Sequence, residues 1–100
     1  MLLYNVTVNI DLEKEKEYVE WMKETHISEV MATGLFVDSK FFRLLHEAEE
    51  GVNFSVQYFA ESMDQIQQYQ AQHAAGLQQK LKDKFGNHYV VFRSLLELVE

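Results

Sequence analysis

The nine residues Val52–Ala60, VNFSVQYFA, constrain this chain more than any other stretch. Val52, Phe54, Val56, Tyr58 and Ala60 fall on one side, Asn53, Ser55 and Gln57 on the other, and only Phe59 breaks the polar row. Successive strand side chains point to opposite faces, so period two over nine residues predicts a strand with one apolar and one polar face. Leu2 to Ile10 repeats the design. Leu2, Tyr4, Val6, Val8 and Ile10 share a face, Asn5, Thr7 and Asn9 the other, and Leu3 is the exception. Two half-apolar strands need a second layer on their oily side, so they are expected at the centre of the fold.

The intervening segments supply that layer. After the first strand, Asp11 is a candidate N-cap, and Glu13, Glu15 and Glu17 place negative charge at a helix start, where the dipole favours it. Tyr18, Trp21, Met22 and Thr25 recur at helical spacing, but the apolar set resumes out of phase at Ile27, Val30 and Met31. The slip falls at His26 and predicts a kink or a break there. Gly34 reads as the stop. Ser62 and Gln65 form a capping-box pattern, and Ile66, Tyr69, His73, Leu77, Leu81 and Phe85 form the buried stripe of a second helix ending at Gly86-Asn87. Gly76, unfavourable inside a helix, is expected to serve close packing.

Two further strands are less regular. Leu35–His46 carries large apolar groups on both faces, with a possible bulge at Asp38, Ser39 and Lys40. The charged turn Glu47–Gly51 then leads back into the Val52 strand as a hairpin. His88–Val99 is also apolar on both faces.

The order is strand, helix, strand, strand, helix, strand over one domain, residues 1–100. Tandem βαβ units of this kind give an α+β, ferredoxin-like sandwich: a four-stranded antiparallel sheet with both helices on one face. The first and third strands are then central. The central strands obey the one-sided pattern, but Phe41, Phe42, Leu44, Leu45, Val90, Phe92, Leu96 and Leu98 cannot all face the helices. The excess predicts an exposed apolar patch. A homodimer through the sheet face, sheet against sheet, would bury it.

Charge and composition exclude several functions. Nine basic against sixteen acidic residues leave a net charge of −7, which argues against nucleic acid and anionic membrane surfaces as partners. Lys80, Lys82 and Lys84 read as a solvated helix end. No stretch of 18 apolar residues suggests a membrane span, and the opening MLLYNVTVNID lacks a basic n-region, so a cytoplasmic protein is expected. Without cysteine there is no disulfide, thiolate metal site or cysteine nucleophile. Serine triads, phosphate loops and nucleotide fingerprints are also absent.

The stretches YNVTVNID, EWMKETHISEVMATGLF, VQYFAESM and FRSLLEL together resemble a small uncharacterised bacterial family of the dimeric α/β-barrel superfamily. The resemblance runs over about residues 1 to 99. The superfamily includes cofactor-independent monooxygenases, haem-degrading enzymes, muconolactone-isomerase-like proteins and ligand-binding regulatory domains. It implies a pocket in each subunit between sheet and helices.

Seven residues are candidates for that pocket. His26 sits at the helix slip, where a titratable ring is placed to act as base or hydrogen-bond donor, and His73 lies on the second helix stripe. Tyr4 and Tyr58 on the helix-facing sheet surface, with Trp21 and Tyr69, have the character of an aromatic lining. Arg93 stands alone among apolar neighbours, fit for an acid across the dimer or for an anionic ligand. Two histidines with no further ligand at the usual spacing make no metal site, and no cofactor is expected. Haem degraders of the superfamily pair a strand asparagine with a histidine and a tryptophan near the second helix. Asn5 and His73 have the corresponding character, but no tryptophan lies there. The expected role is a homodimeric small-ligand-binding or structural module. The alternative is a cofactor-independent monooxygenase or isomerase acting on a small aromatic or polyketide-like molecule.

Overall fold

The structure, a computed structural model, describes residues 1–45 and 49–100. His46 and part of the Glu47–Gly51 turn therefore lie outside the described residues. Four strands, β1 (Leu2–Ile10), β2 (Asp38–Arg43), β3 (Val52–Ala60) and β4 (Tyr89–Glu97), form one antiparallel sheet in the order β2-β3-β1-β4. The cleanly alternating strands are central. The apolar sides of β1 and β3 pack under the helices in a single core that includes Val8, Ile10, Phe54, Val56 and Ala60. This is the ferredoxin-like α+β sandwich.

The first helical layer is α1 (Glu15–Trp21), a π-helical segment (Met22–His26) and α2 (Ile27–Met31). The π segment is the phase slip seen in the sequence. At 100° per residue, positions 18 and 30 would lie about 120° apart around a regular helix. Yet Tyr18, Met22 and Val30 are all buried. The wider turn absorbs the extra residue and keeps one face inward, carrying His26 between Met22 and Val30. Asp11 does not cap this layer. Its carboxylate instead meets His88 Nδ1 at 2.9 Å, while its carbonyl accepts from Lys14 N.

The second layer is α3 (Met63–Gln72) and α4 (Ala74–Phe85), broken at His73, which has φ −127° and ψ −35°. The sequence stripe predicts a continuous helix; the break is a correction. The Ser62–Gln65 capping box is formed. Gly76 meets no atom within 4 Å of where a Cβ would stand, so close packing does not explain it. Gly51 is the reverse case. Its φ is +70°, and a Cβ there would stand 2.5 Å from the Ile10 carbonyl oxygen.

β2 is shorter than Leu35–His46. Phe36 turns into the core before the strand begins, and pairing runs without interruption from Asp38↔Phe59 to Arg43↔Phe54, so the expected bulge is absent. Register explains both exceptions in the central strands. Leu3 pairs with Phe59 on one side and Leu96 on the other, making an apolar strip across one end of the outer sheet face. Elsewhere that face carries Phe42, Val90 and Phe92, exposed by 49%, 70% and 69%. Phe41 turns the other way and packs on Tyr18 and Phe54.

Several polar groups between these apolar positions pair with one another. Ser55 Oγ donates to Asn5 Oδ1 at 2.7 Å, Asn5 Nδ2 to Thr7 Oγ1 at 3.1 Å, and Asn9 Nδ2 to Asn53 Oδ1 at 2.9 Å. Among the described residues no helix is long and apolar enough to cross a membrane.

Candidate functional site

A void of about 30 Å³ lies between the helices and the sheet. That is room enough for a water molecule. β1 lends it Tyr4, Val6 and Val8; β3 lends Val56 and Tyr58; Tyr18, Met22, His26 and Val30 come from the first layer, Tyr69, Leu77, Gln78 and Leu81 from the second, and Arg93 from β4. Five of the seven sequence candidates line it: His26, Tyr69, Tyr4, Tyr58 and Arg93. Trp21 and His73 do not.

Trp21 stands behind the wall. Its ring stacks on His26 at 4.6 Å and meets the edge of Phe85 at 5.6 Å. His73 marks the α3–α4 break, where its amide donates to the Tyr69 carbonyl and its carbonyl accepts from Leu77 N. Its ring stacks on Tyr69, so the expected convergence of the two histidines in one pocket does not occur. Asn5 belongs to the outer face, on the far side of the sheet from His73, so the pair does not fit the haem arrangement.

Two polar atoms in this wall are buried without a hydrogen-bond partner: the Tyr18 hydroxyl and His26 Nδ1. Tyr18 is 0% exposed, clamped by Phe41, Phe54 and Phe85. A buried unpaired hydroxyl costs about 1–3 kcal/mol. Burial pushes the Tyr18 phenol well up, and it does the same to Tyr58 and Tyr69. All three therefore remain O–H donors at neutral pH. Burial also lowers His26, to about 4, against the pull of Glu29; Lys80 and Arg93 add to the lowering. Its ring is neutral at neutral pH.

The void adjoins a cleft of about 460 Å³ between β4 and the second layer, lined by Tyr4, Gln70, Ala74, Ala75, Gln78, Arg93, Ser94 and Leu95. Tyr4, Gln78 and Arg93 line both spaces and so form the partition between them. The Tyr4 phenol is raised by burial, while Arg93, by charge and hydrogen bond, and Gln78 pull it back. Arg93 pairs with Val6 across β1 and β4, on the helix side of the sheet. A partner lying on the outer face is therefore behind it, which removes the expected salt bridge across a sheet-to-sheet dimer. Among the described residues no carboxylate lies within ion-pair distance of its guanidinium.

Sequence reasoning placed Tyr18 in the core stripe and passed over Gln78. The signal for Tyr18 was its hydroxyl, a polar group on a buried stripe. Gln78 carried none, because the α4 side chain nearest the partition is ordinary by spacing. One cluster lies elsewhere: Asp11, Glu13 and His88 bring ligand atoms within 4.8 Å of one another on the surface. Its histidine is already paired with Asp11.

Solved structures share this architecture. An ethyl tert-butyl ether D (EthD) family protein from Bacillus halodurans is 13% identical, with a TM-score of 0.72 over 98% of this chain and 100% of its own. A dimeric ferredoxin-like protein from an uncultured marine organism is 16% identical, with a TM-score of 0.70 over 100% of this chain and 96% of its own. An antibiotic biosynthesis monooxygenase is 13% identical, with a TM-score of 0.70 over 100% of both chains. At these identities the likeness establishes the fold. No curated protein matches the sequence. A family model described as a domain of unknown function, DUF4286, matches residues 1–99, and the chain belongs to that family.

Proposed function

We propose that the chain is a homodimeric small-ligand-binding module of the cytoplasm, with its ligand site in the cleft and void between β4, β1 and the second helical layer. The observation that carries this role is a pair of buried polar atoms without a partner, the Tyr18 hydroxyl and His26 Nδ1, on two residues that line one void. A core built for stability alone would pair such groups or replace them. Retained at a cost, beside a cleft of ligand size, they suit a bound molecule's polar atoms. His26, Tyr69, Tyr4, Tyr58 and Arg93 are its contacts. Trp21 and His73 hold His26 and Tyr69 from behind.

The outer sheet face is the proposed dimer surface. Its apolar groups surround a polar centre partly hydrogen-bonded within the sheet, so a second copy covers it with part of its polar groups already paired. A related fold described as dimeric supports the same role.

A cofactor-independent monooxygenase or isomerase acting on a small aromatic or polyketide-like molecule is supported by one feature, the unpaired Nδ1 of His26, a residue that lines the void. A ring lowered to about 4 is a weak base near neutral pH, which favours binding over catalysis. A fragment screen followed by two-dimensional NMR tests the site. Hits are expected to shift amides of β1, β4 and α4 around Tyr4, Gln78 and Arg93. Hits that shift only other regions contradict it.

A further inference from the structure

We propose that the site's ligand is a small organic carboxylate, its anionic group held by Arg93 and its apolar body lying in the cleft against Ala74, Ala75 and Leu95. This proposal rests on the ligand-binding role above and names its chemical class. Arg93 is partly buried at the partition, faces the helix side of the sheet, and has no carboxylate within ion-pair distance among the described residues. The chain holds sixteen acidic residues, so a lone guanidinium in a cleft is not for want of acids.

The groups beside Arg93 point to the same class. Tyr4 and Gln78 line both the void and the cleft together with Arg93. A guanidinium, a phenol and a primary amide thus converge as N–H and O–H donors. A carboxylate accepts from all three, and a guanidinium binds it through two parallel hydrogen bonds. A neutral ligand leaves the charge of Arg93 unmatched in a partly dry site. The rest of the cleft sets the methyl and isobutyl groups of Ala74, Ala75 and Leu95 beside Gln70 and Ser94, and its volume of about 460 Å³ suits a body of one or two rings.

The test is calorimetric titration of the wild-type protein with benzoate, phenylacetate and cinnamate, each against its own primary amide. Location is read from amide shifts of residues 74–78 and 93–95. At least one acid is expected to bind at least tenfold more tightly than its amide, with Arg93→Gln abolishing the difference and Arg93→Lys restoring part of it. Amides binding as tightly as acids at this cleft would overturn the carboxylate class and leave the ligand site standing. No shift at the cleft from either series would overturn both. The acid-against-amide comparison needs no variant, so a poorly folded Arg93→Gln does not blunt it.

Discussion

At the residue scale, the two unpaired atoms make opposite demands on stability and binding. Removing the Tyr18 hydroxyl leaves its packing on Phe41, Phe54 and Phe85 intact. Tyr18→Phe is therefore expected to stabilise the free protein by about 1 kcal/mol, read from the urea midpoint, while weakening any ligand that reaches the void. His26 gives a pH signature. Its folded pKa, lowered to about 4 by burial, lies below the usual 6.5 of an unfolded chain, so the unfolded state binds the extra proton between those values. Stability is complete above pH 6.5 and is lost as pH falls through 4, by about 2 kcal/mol at pH 5. His26→Gln should flatten the stability slope between pH 7 and 5 relative to wild type; an unchanged slope would remove His26 as its source. Position 26 was legible in the sequence, because the apolar phase slips there. That the Tyr18 hydroxyl goes unpaired was not, because a stripe residue with a satisfied hydroxyl and one without look alike.

At the scale of elements, alternation and helical spacing foretold all four strands and both helical layers, with the central pair correctly identified. The failures have local causes. Leu35–Val37 read as strand because apolar residues look alike in a strand and before one. The break at His73 was invisible because the stripe keeps its period on both sides of it. Gly76 was read as packing, yet open space surrounds it. Gly76→Ala should therefore stabilise α4 by about 0.5–1 kcal/mol, seen as a higher melting temperature. Gly51 is the contrary case. Gly51→Ala is expected to cost about 2 kcal/mol or more, since a left-handed backbone and a clash with the Ile10 carbonyl coincide. Equal melting temperatures for the Gly51 variant and wild type would contradict this reason for the glycine.

At the scale of the whole molecule, one sheet separates two surfaces. The helix side buries the core and holds the cleft. The outer side sets the Leu3, Phe59 and Leu96 strip and the exposed Phe42, Val90 and Phe92 around a hydrogen-bonded polar centre. The two residues that broke the alternation, Leu3 and Phe59, meet across the sheet and extend the apolar surface. The sequence therefore held the evidence for that surface but not its shape, which needed the register. Burying it in a second copy accounts for apolar side chains that a lone sandwich leaves in water. Light scattering on a sizing column at micromolar concentration tests this most directly. Wild type is predicted to run at twice the chain mass of 11.8 kDa, and Phe92→Glu at the chain mass with its circular dichroism unchanged; wild type at 11.8 kDa would contradict the account.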